Sequence, residues 1–369
     1  MPPPFSAVIE LLIDGVRTRA FPAAAIEVGG RAGVLWRRAV GALSYREAAL
    51  PTTADTIFDL ASLTKVIATA SLAMRAVDDQ RLALEDRVAE WIPAWTGSDR
   101  EHVTIADLLE HASGLTAYLP FYVDHTRRID FEPAICGLPL EYPPRTRSIY
   151  SDLGFILLGF ILEDAQPPRA GYTGAPGTAD PERRLQAQFG PVARSFTGEP
   201  LAFNPPRSWR DRTAPTEVDP WRGRLLVGEV HDENAWALGG AGGHAGLFGT
   251  VGAVGDFARA VLATITGTPT LGMPETMRRF MARSAVPGSS RALGWDTMLP
   301  TSSCGRKMSA SAIGHTGFTG TSLWIDWERD LYVALLTNRV HPSRDAEQLR
   351  ALRPHLHDAA VEAFDRHFR

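Results

Sequence analysis

Hydrophobic and polar positions alternate along the chain in two periods. From Phe5 to Ala20 the apolar residues Ile9, Leu12, Ile13 and Val16 recur at helical spacing, and the pattern stops at Pro22. Ala23 to Val28 and Gly33 to Val40 are short strand-like runs around Gly29-Gly30, which predicts a hairpin. Leu63 to Val77 is apolar almost all round, broken by Thr64, Lys65, Thr69, Ser71 and Arg75, the signature of a helix at the centre of a molecule. Thr104 followed by Asp107 predicts a capping box opening a helix through Leu109 that closes at Gly114. Leu153 to Leu162 reads as a second buried helix. Glycine-dense Gly239 to Gly249 leads into another, from about Val254 to Ala263.

Near the end, Ala312 to Thr319, Thr321 to Trp327 and Leu331 to Val340 predict three consecutive strands, and Asp345 to Phe368 a C-terminal helix. Strands at both ends with helices between them imply a mixed sheet with a helical lobe inserted. Between about Gln166 and Pro220 the chain is rich in Pro, Gly, Arg and Thr with little periodicity. That stretch is expected to be a long surface excursion walling a cleft.

A chain of 369 residues with 44% hydrophobic content buries a full core. A formal charge of -4 and the absence of any polybasic stretch exclude nucleic acid and anionic lipid as natural partners, leaving a small molecule or peptide. Nothing approaches the run of ~18 apolar residues that spans a bilayer. Phe5 to Ile13 lacks the features of a secretory signal, so a cytoplasmic location is expected. Cys136 and Cys304, the two cysteines, are expected to be free thiols.

One compositional fact points to chemistry. Of 38 basic residues, 36 are arginine and only Lys65 and Lys307 are lysine. Arginine stays protonated, whereas a buried lysine can become a proton acceptor. Lys307 lies in a polar loop and is set aside. Lys65 follows Ser62 by three residues at the head of the central helix, which puts hydroxyl and amine on one face. The helix N-terminus beside Ser62 favours an alkoxide there and is expected to keep the amine's pKa down.

Two further segments join it. Tyr150-Ser151-Asp152 precedes the second buried helix, and residues two apart in an extended segment point the same way. A phenol near Lys65 is expected to have a lowered pKa and to pass a proton to a leaving group. His315-Thr316-Gly317 lies on the first of the terminal strands, where glycine would let a ligand lie against the backbone. The N–H of Phe318 could then join that of Ser62 as an oxyanion hole, worth ~3 kcal/mol per donor.

Ser-x-x-Lys, then Tyr-x-Asn, then Lys-Thr-Gly near the C-terminus is the order in class C β-lactamases, DD-peptidases and their esterase relatives. Phe58 to Lys65, Leu108 to Leu115 and Tyr150 to Gly154 resemble the phrasing of that superfamily. The resemblance implies an α/β fold of the α+β type: an antiparallel sheet flanked by N- and C-terminal helices, with an inserted, mainly helical lobe. The whole chain, residues 1–369, would be one catalytic domain, its α/β lobe about 1–60 plus 270–369 and its helical lobe about 61–269. It implies an acyl-enzyme serine hydrolase with Ser62, Lys65 and Tyr150 catalytic, and Asp152, His315, Thr316, Gly317 and Phe318 holding substrate or oxyanion.

Two departures bear on substrate. Asp152 stands where asparagine donates to a substrate amide, and His315 where lysine supplies a fixed positive charge. Both suit a carboxylesterase better than an efficient β-lactamase. A D-alanyl-D-alanine carboxypeptidase or weak β-lactamase is the alternative, and a penicillin-binding sensor without turnover is a reading of another class. Ala214 to Gly249 resembles a subgroup of penicillin-binding-like hydrolases and is taken as cleft wall. It gathers His231, Asp232, Glu233 and His244, but at no zinc spacing, and Gly239 to Gly246 lacks the lysine of a phosphate cradle. No metal or cofactor is expected. No Gly-x-Ser-x-Gly elbow occurs.

Overall fold

The computed structural model describes residues 3–166 and 184–369. Its centre is a six-stranded sheet of β1 (Ala23–Gly30), β2 (Gly33–Gly41), β3 (Asp296–Thr297), β4 (Ile313–Thr316), β5 (Ser322–Asp326) and β6 (Leu331–Thr337). The order is β2-β1-β6-β5-β4-β3, so the N-terminal hairpin pairs directly with the last strand. Every pairing in this sheet is antiparallel, so it is not the mixed sheet that the element order alone suggested.

All eight positions of β1 are buried because both of its faces are covered. The period-two alternation divides them. Ala24, Ile26 and Val28 join the core under α1 (Ser6–Arg17) and the C-terminal helix α5 (Gln348–His367), whereas Ala23 and Ala25 join the core on the other face. On that second face lies α4 (Val251–Ile265), which the sequence reading placed in the helical lobe but which packs across β1 and β6.

The central apolar run folds in two parts. Leu63, Thr64 and Lys65 bond back three residues to Leu60, Ala61 and Ser62. The chain then widens into a π-helical turn over Lys65–Ala70, entirely buried, before continuing as α2 (Ser71–Asp78). Alongside runs α3 (Asp152–Asp164), capped by the Ser151 hydroxyl accepting from the Gly154 N–H. The capping box at Thr104 and Asp107 forms as expected, over a helix of five residues, Ile105–Leu109.

The excursion needs correcting where it is described. Leu185–Phe196 is a helix burying Leu185, Phe189, Val192 and Ala193, and Leu201–Phe203 is a strand paired with Leu247–Gly249. The spacing of those apolar residues is helical, but Pro191 inside the run hides it. Residues 167–183, also part of that expectation, lie outside the described residues. Both cysteines are free and buried. Among the described residues no helix is long and apolar enough to cross a membrane.

Candidate active site

Ser62 follows the short strand Phe58–Asp59, which pairs with Leu247–Gly249, and sits where that strand, the π-helical turn and the end of β4 meet. Ala61, immediately before it, has φ +47, a left-handed conformation that a non-glycine residue adopts only when its surroundings hold it. Asp59 does the holding. Its buried carboxylate accepts the Ala61 N–H at 2.8 Å and the His231 N–H at 2.7 Å. Burial pushes this acid up, and the two N–H bonds pull against that.

The turn after β4 is tied to the same segment. Thr319 Oγ1 donates to the Asp59 carbonyl at 2.7 Å, and Thr321 Oγ1 to the Leu60 carbonyl at 2.9 Å. A Cβ on Gly317 would lie 2.1 Å from Thr321 Oγ1 and 2.6 Å from the Leu60 carbonyl oxygen. Glycine is therefore required here by the protein's own backbone. Among the described residues, neither the Ser62 nor the Phe318 backbone N–H has a hydrogen-bond acceptor.

Lys65 Nζ is fully buried and makes three contacts: Ser62 Oγ at 3.2 Å, Asp152 Oδ1 at 2.7 Å and the His244 carbonyl at 3.0 Å. Burial pulls this amine down, but the Asp152 carboxylate, and after it Tyr150, pull it up by more, so it ends above its ordinary value. The sequence reading had it lowered by the helix terminus; it did not see that an acid two residues beyond Tyr150 would pair with it. The Tyr150 ring lies beside the same amine, its centre 4.8 Å from Lys65 Nζ. Burial raises its phenol and outweighs the neighbouring ammonium, reversing the expected lowering.

His315 reaches the same cleft. Its Nδ1 donates to the carbonyl of Thr316 at 2.8 Å, which leaves Nε2 as a buried lone pair without a partner. Burial, reinforced by Lys65 and Arg291, holds the imidazole well below its ordinary value, so it is a neutral acceptor near pH 7.

Three contributors were not legible beforehand. The His111 ring lies tilted against Tyr150 with ring centroids 4.6 Å apart, and its Nδ1 accepts the Ser151 N–H at 3.0 Å, fixing the loop that carries Tyr150 and Asp152. Arg291 lies 5.1 Å from the Tyr150 ring centre, and its nearest acid, Asp296, is 4.0 Å away. The His244 carbonyl that holds Lys65 is the third. These contacts join segments far apart in sequence, and none produces a local periodicity.

The acids and histidines weighed as metal ligands are paired instead. His244 bonds to Asp232 at 2.8 Å, and His231 to Glu217 at 2.9 Å. Arg344 bridges Glu217 and Glu233, each at 2.7 Å. Against the burial that would raise it, Glu217 is held down at about 2 by His231 and Arg344. Among the described residues no three His, Cys, Asp or Glu side chains converge as a metal-holding group. Ser62, Tyr150, Asp152, His315, Thr316, Gly317 and Phe318 all line one cleft of about 750 Å³.

The geometry can be set against known proteins. The Beta-lactamase family model matches residues 8–357. A putative D-alanyl-D-alanine carboxypeptidase of Escherichia coli (strain K12) is 29% identical over 338 residues, covering 84% of this chain and 76% of its own. An N-acetylmuramyl-L-alanine amidase of Bacillus subtilis (strain 168) is 30% identical over 315 residues, covering 79% and 70%. Among solved structures, the unliganded simvastatin synthase LovD from Aspergillus terreus shares the fold with a TM-score of 0.74 at 16% identity, covering 100% of both chains. A penicillin-binding protein homolog from Caulobacter crescentus does so at 0.71 and 20%, covering 98% of both. The chain belongs to the Beta-lactamase family and is a hydrolase of the β-lactamase fold.

Proposed function

We propose that Ser62 attacks an acyl carbon adjacent to alanine in a peptidoglycan-type peptide, forming an acyl-enzyme that water then releases. The supporting observation is that Lys65 Nζ reaches both Ser62 Oγ, at 3.2 Å, and Asp152 Oδ1, at 2.7 Å. Lys65 carries a proton, Asp152 is hydrogen-bonded to it, and the Tyr150 phenol stays neutral. An ammonium cannot accept a proton unless it first gives one up. Asp152 provides the place: as Ser62 Oγ bonds to the acyl carbon, its proton passes to Lys65 Nζ and a Lys65 proton passes to Asp152 Oδ1. The charge lost from the ion pair reappears on the carbonyl oxygen, which the free N–H groups of Ser62 and Phe318 receive.

Collapse of that intermediate breaks the bond to the leaving group, and Tyr150 donates its proton there. Lys65 re-protonates the phenolate, and Asp152 returns its proton to Lys65. An amine leaving group needs such an acid far more than an activated alkoxide does, which is why the site suits amides as well as esters. The two relatives are named for alanyl amide substrates, which supports the substrate class. Simple esters, the leading expectation from sequence, are acyl donors for the same machinery.

Turnover by the purified protein of three compounds tests this: a short acyl ester, a D-Ala-D-Ala peptide and an N-acetylmuramyl-L-alanine amide. Hydrolysis of at least one alanyl amide is expected, abolished in Ser62→Ala. Ester turnover with no amide cleavage would overturn the substrate assignment, and amide turnover surviving in Ser62→Ala would overturn the nucleophile.

A further inference from the structure

A run of exposed aromatic rings leads away from the cleft along its Asp232–Glu233 wall. Tyr118, itself exposed, lines the cleft together with those two acids. Four residues on, the Tyr122 N–H donates to the Asn234 side-chain oxygen at 2.9 Å, which ties Tyr122 to the same wall. The Tyr122 ring meets Trp221 edge to face with centroids 4.7 Å apart, and Trp221 meets Trp236 in the same way at 5.3 Å. Trp236 lies three residues beyond Glu233 in the short helix Glu233–Ala237, on the same side of it.

Trp221 and Trp236 are 44% and 37% exposed, a large apolar area to leave in water beside a cleft. They are nevertheless held in place. Arg222, next to Trp221 in sequence, has a buried side chain that donates to the Asp219 carboxylate at 2.9 Å, the Val230 carbonyl at 2.7 Å and the His231 carbonyl at 2.6 Å. Its guanidinium lies 5.9 Å from the Trp236 ring centre. Successive ring planes stand at 69° and 87°, so the ridge offers corners rather than one flat face.

The two acids at its foot each use one oxygen. Asp232 Oδ1 accepts the Ala235 N–H at 2.7 Å and bonds His244 at 2.8 Å, and Glu233 Oε1 accepts from Arg344 at 2.7 Å. Among the described residues, Asp232 Oδ2 and Glu233 Oε2 accept no hydrogen bond.

We propose that this ridge binds a pyranose ring carried by the substrate. The C–H face of a sugar ring suits the negative faces of the indoles and the phenol, and its hydroxyls are donors for the two uncommitted carboxylate oxygens. A carboxylate would be repelled by the same acids, and an apolar side chain would offer them no donor. The inference rests on the Ser62 cleft being the substrate cleft, but its binding test needs no turnover.

Binding to the full-length Ser62→Ala protein is measured by calorimetry with the N-acetylmuramyl-L-alanine amide and with a 2-methoxypropanoyl-L-alanine amide, in which a methyl group replaces the sugar. The sugar-bearing ligand is expected to bind about tenfold or more tightly. Trp221→Ala and Trp236→Ala, each added to Ser62→Ala, should bring the ratio of the two affinities close to one, and Trp236→Tyr should keep part of it. In the unaltered ridge, saturation-transfer NMR from aromatic protons should reach the sugar ring protons. Equal affinities, a ratio that survives both tryptophan variants, or no transfer to the ring protons would overturn the proposal. A dimer that Trp221→Ala dissolves, with the two ligands bound equally, would assign the ridge to a second copy instead. If no alanyl amide is hydrolysed while the ratio stands, the proposed reaction fails and the sugar site is upheld.

Discussion

Lys65 Nζ lies nearer to Asp152 Oδ1, at 2.7 Å, than to the Ser62 hydroxyl, at 3.2 Å. The amine is thus committed first to a carboxylate and only second to that hydroxyl. In the proposed mechanism the two act as one proton-accepting unit.

Replacing Asp152 with asparagine removes the place to which Lys65 passes its proton. Lys65 must then start neutral to accept from Ser62, so activity follows deprotonation of the amine and rises with pH. Asp152→Asn is expected to lose about 10²-fold in kcat near neutral pH, with the acidic limb of the pH–rate profile moved upward. A profile unchanged, or a limb moved to lower pH, would contradict the role given to Asp152.

Tyr150→Phe separates leaving groups. The raised phenol is a proton donor, and an amine cannot depart without a proton whereas a nitrophenolate can. Amide turnover should fall by about 10²–10⁴ and turnover of an activated aryl ester by clearly less. Equal losses on both substrates would assign Tyr150 to the attack step instead.

The meeting of Ser62, Lys65 and Tyr150 and the flanking strands were legible in the sequence, because each is a local pattern: Ser62 three residues before one of two lysines, Tyr150 ahead of an apolar helix, glycine after a strand. What was not legible depends on packing between distant segments. Asp59 looks like any strand-end acid until it accepts N–H groups from Ala61 and His231. The directions for Lys65 and Tyr150 came out reversed because burial and a through-space carboxylate decide them, and neither can be read from spacing.

Gly317→Ala tests the seam between the β4–β5 turn and Ser62. Thr321 Oγ1 can rotate away from the new methyl group, but the Leu60 carbonyl cannot. The variant should lose about 1–3 kcal/mol in denaturant unfolding. Its activity should fall as well, because the Phe318 N–H moves with the turn. Wild-type stability in this variant would mean that the seam is looser than described.

Acid stability should reflect buried neutral histidines. His357, bonded to Ser322 Oγ at 3.1 Å, is lowered by burial from 6.5 to about 3. Between those values the unfolded chain binds the proton and the folded chain does not, so stability rises with pH across the window and levels off above it. His111 and His315, also lowered by burial, act in the same direction. Unfolding free energy should therefore decline as pH falls from about 6.5. His357→Gln should decline less steeply, and equal slopes would contradict the buried neutral state.

The most direct test of the acyl-enzyme account is mass spectrometry of protein quenched during turnover of a slowly released acyl donor. The account predicts one added acyl group on the peptide containing Ser62, absent from Ser62→Ala. An adduct on another residue, or turnover with no adduct and undiminished in Ser62→Ala, would contradict it.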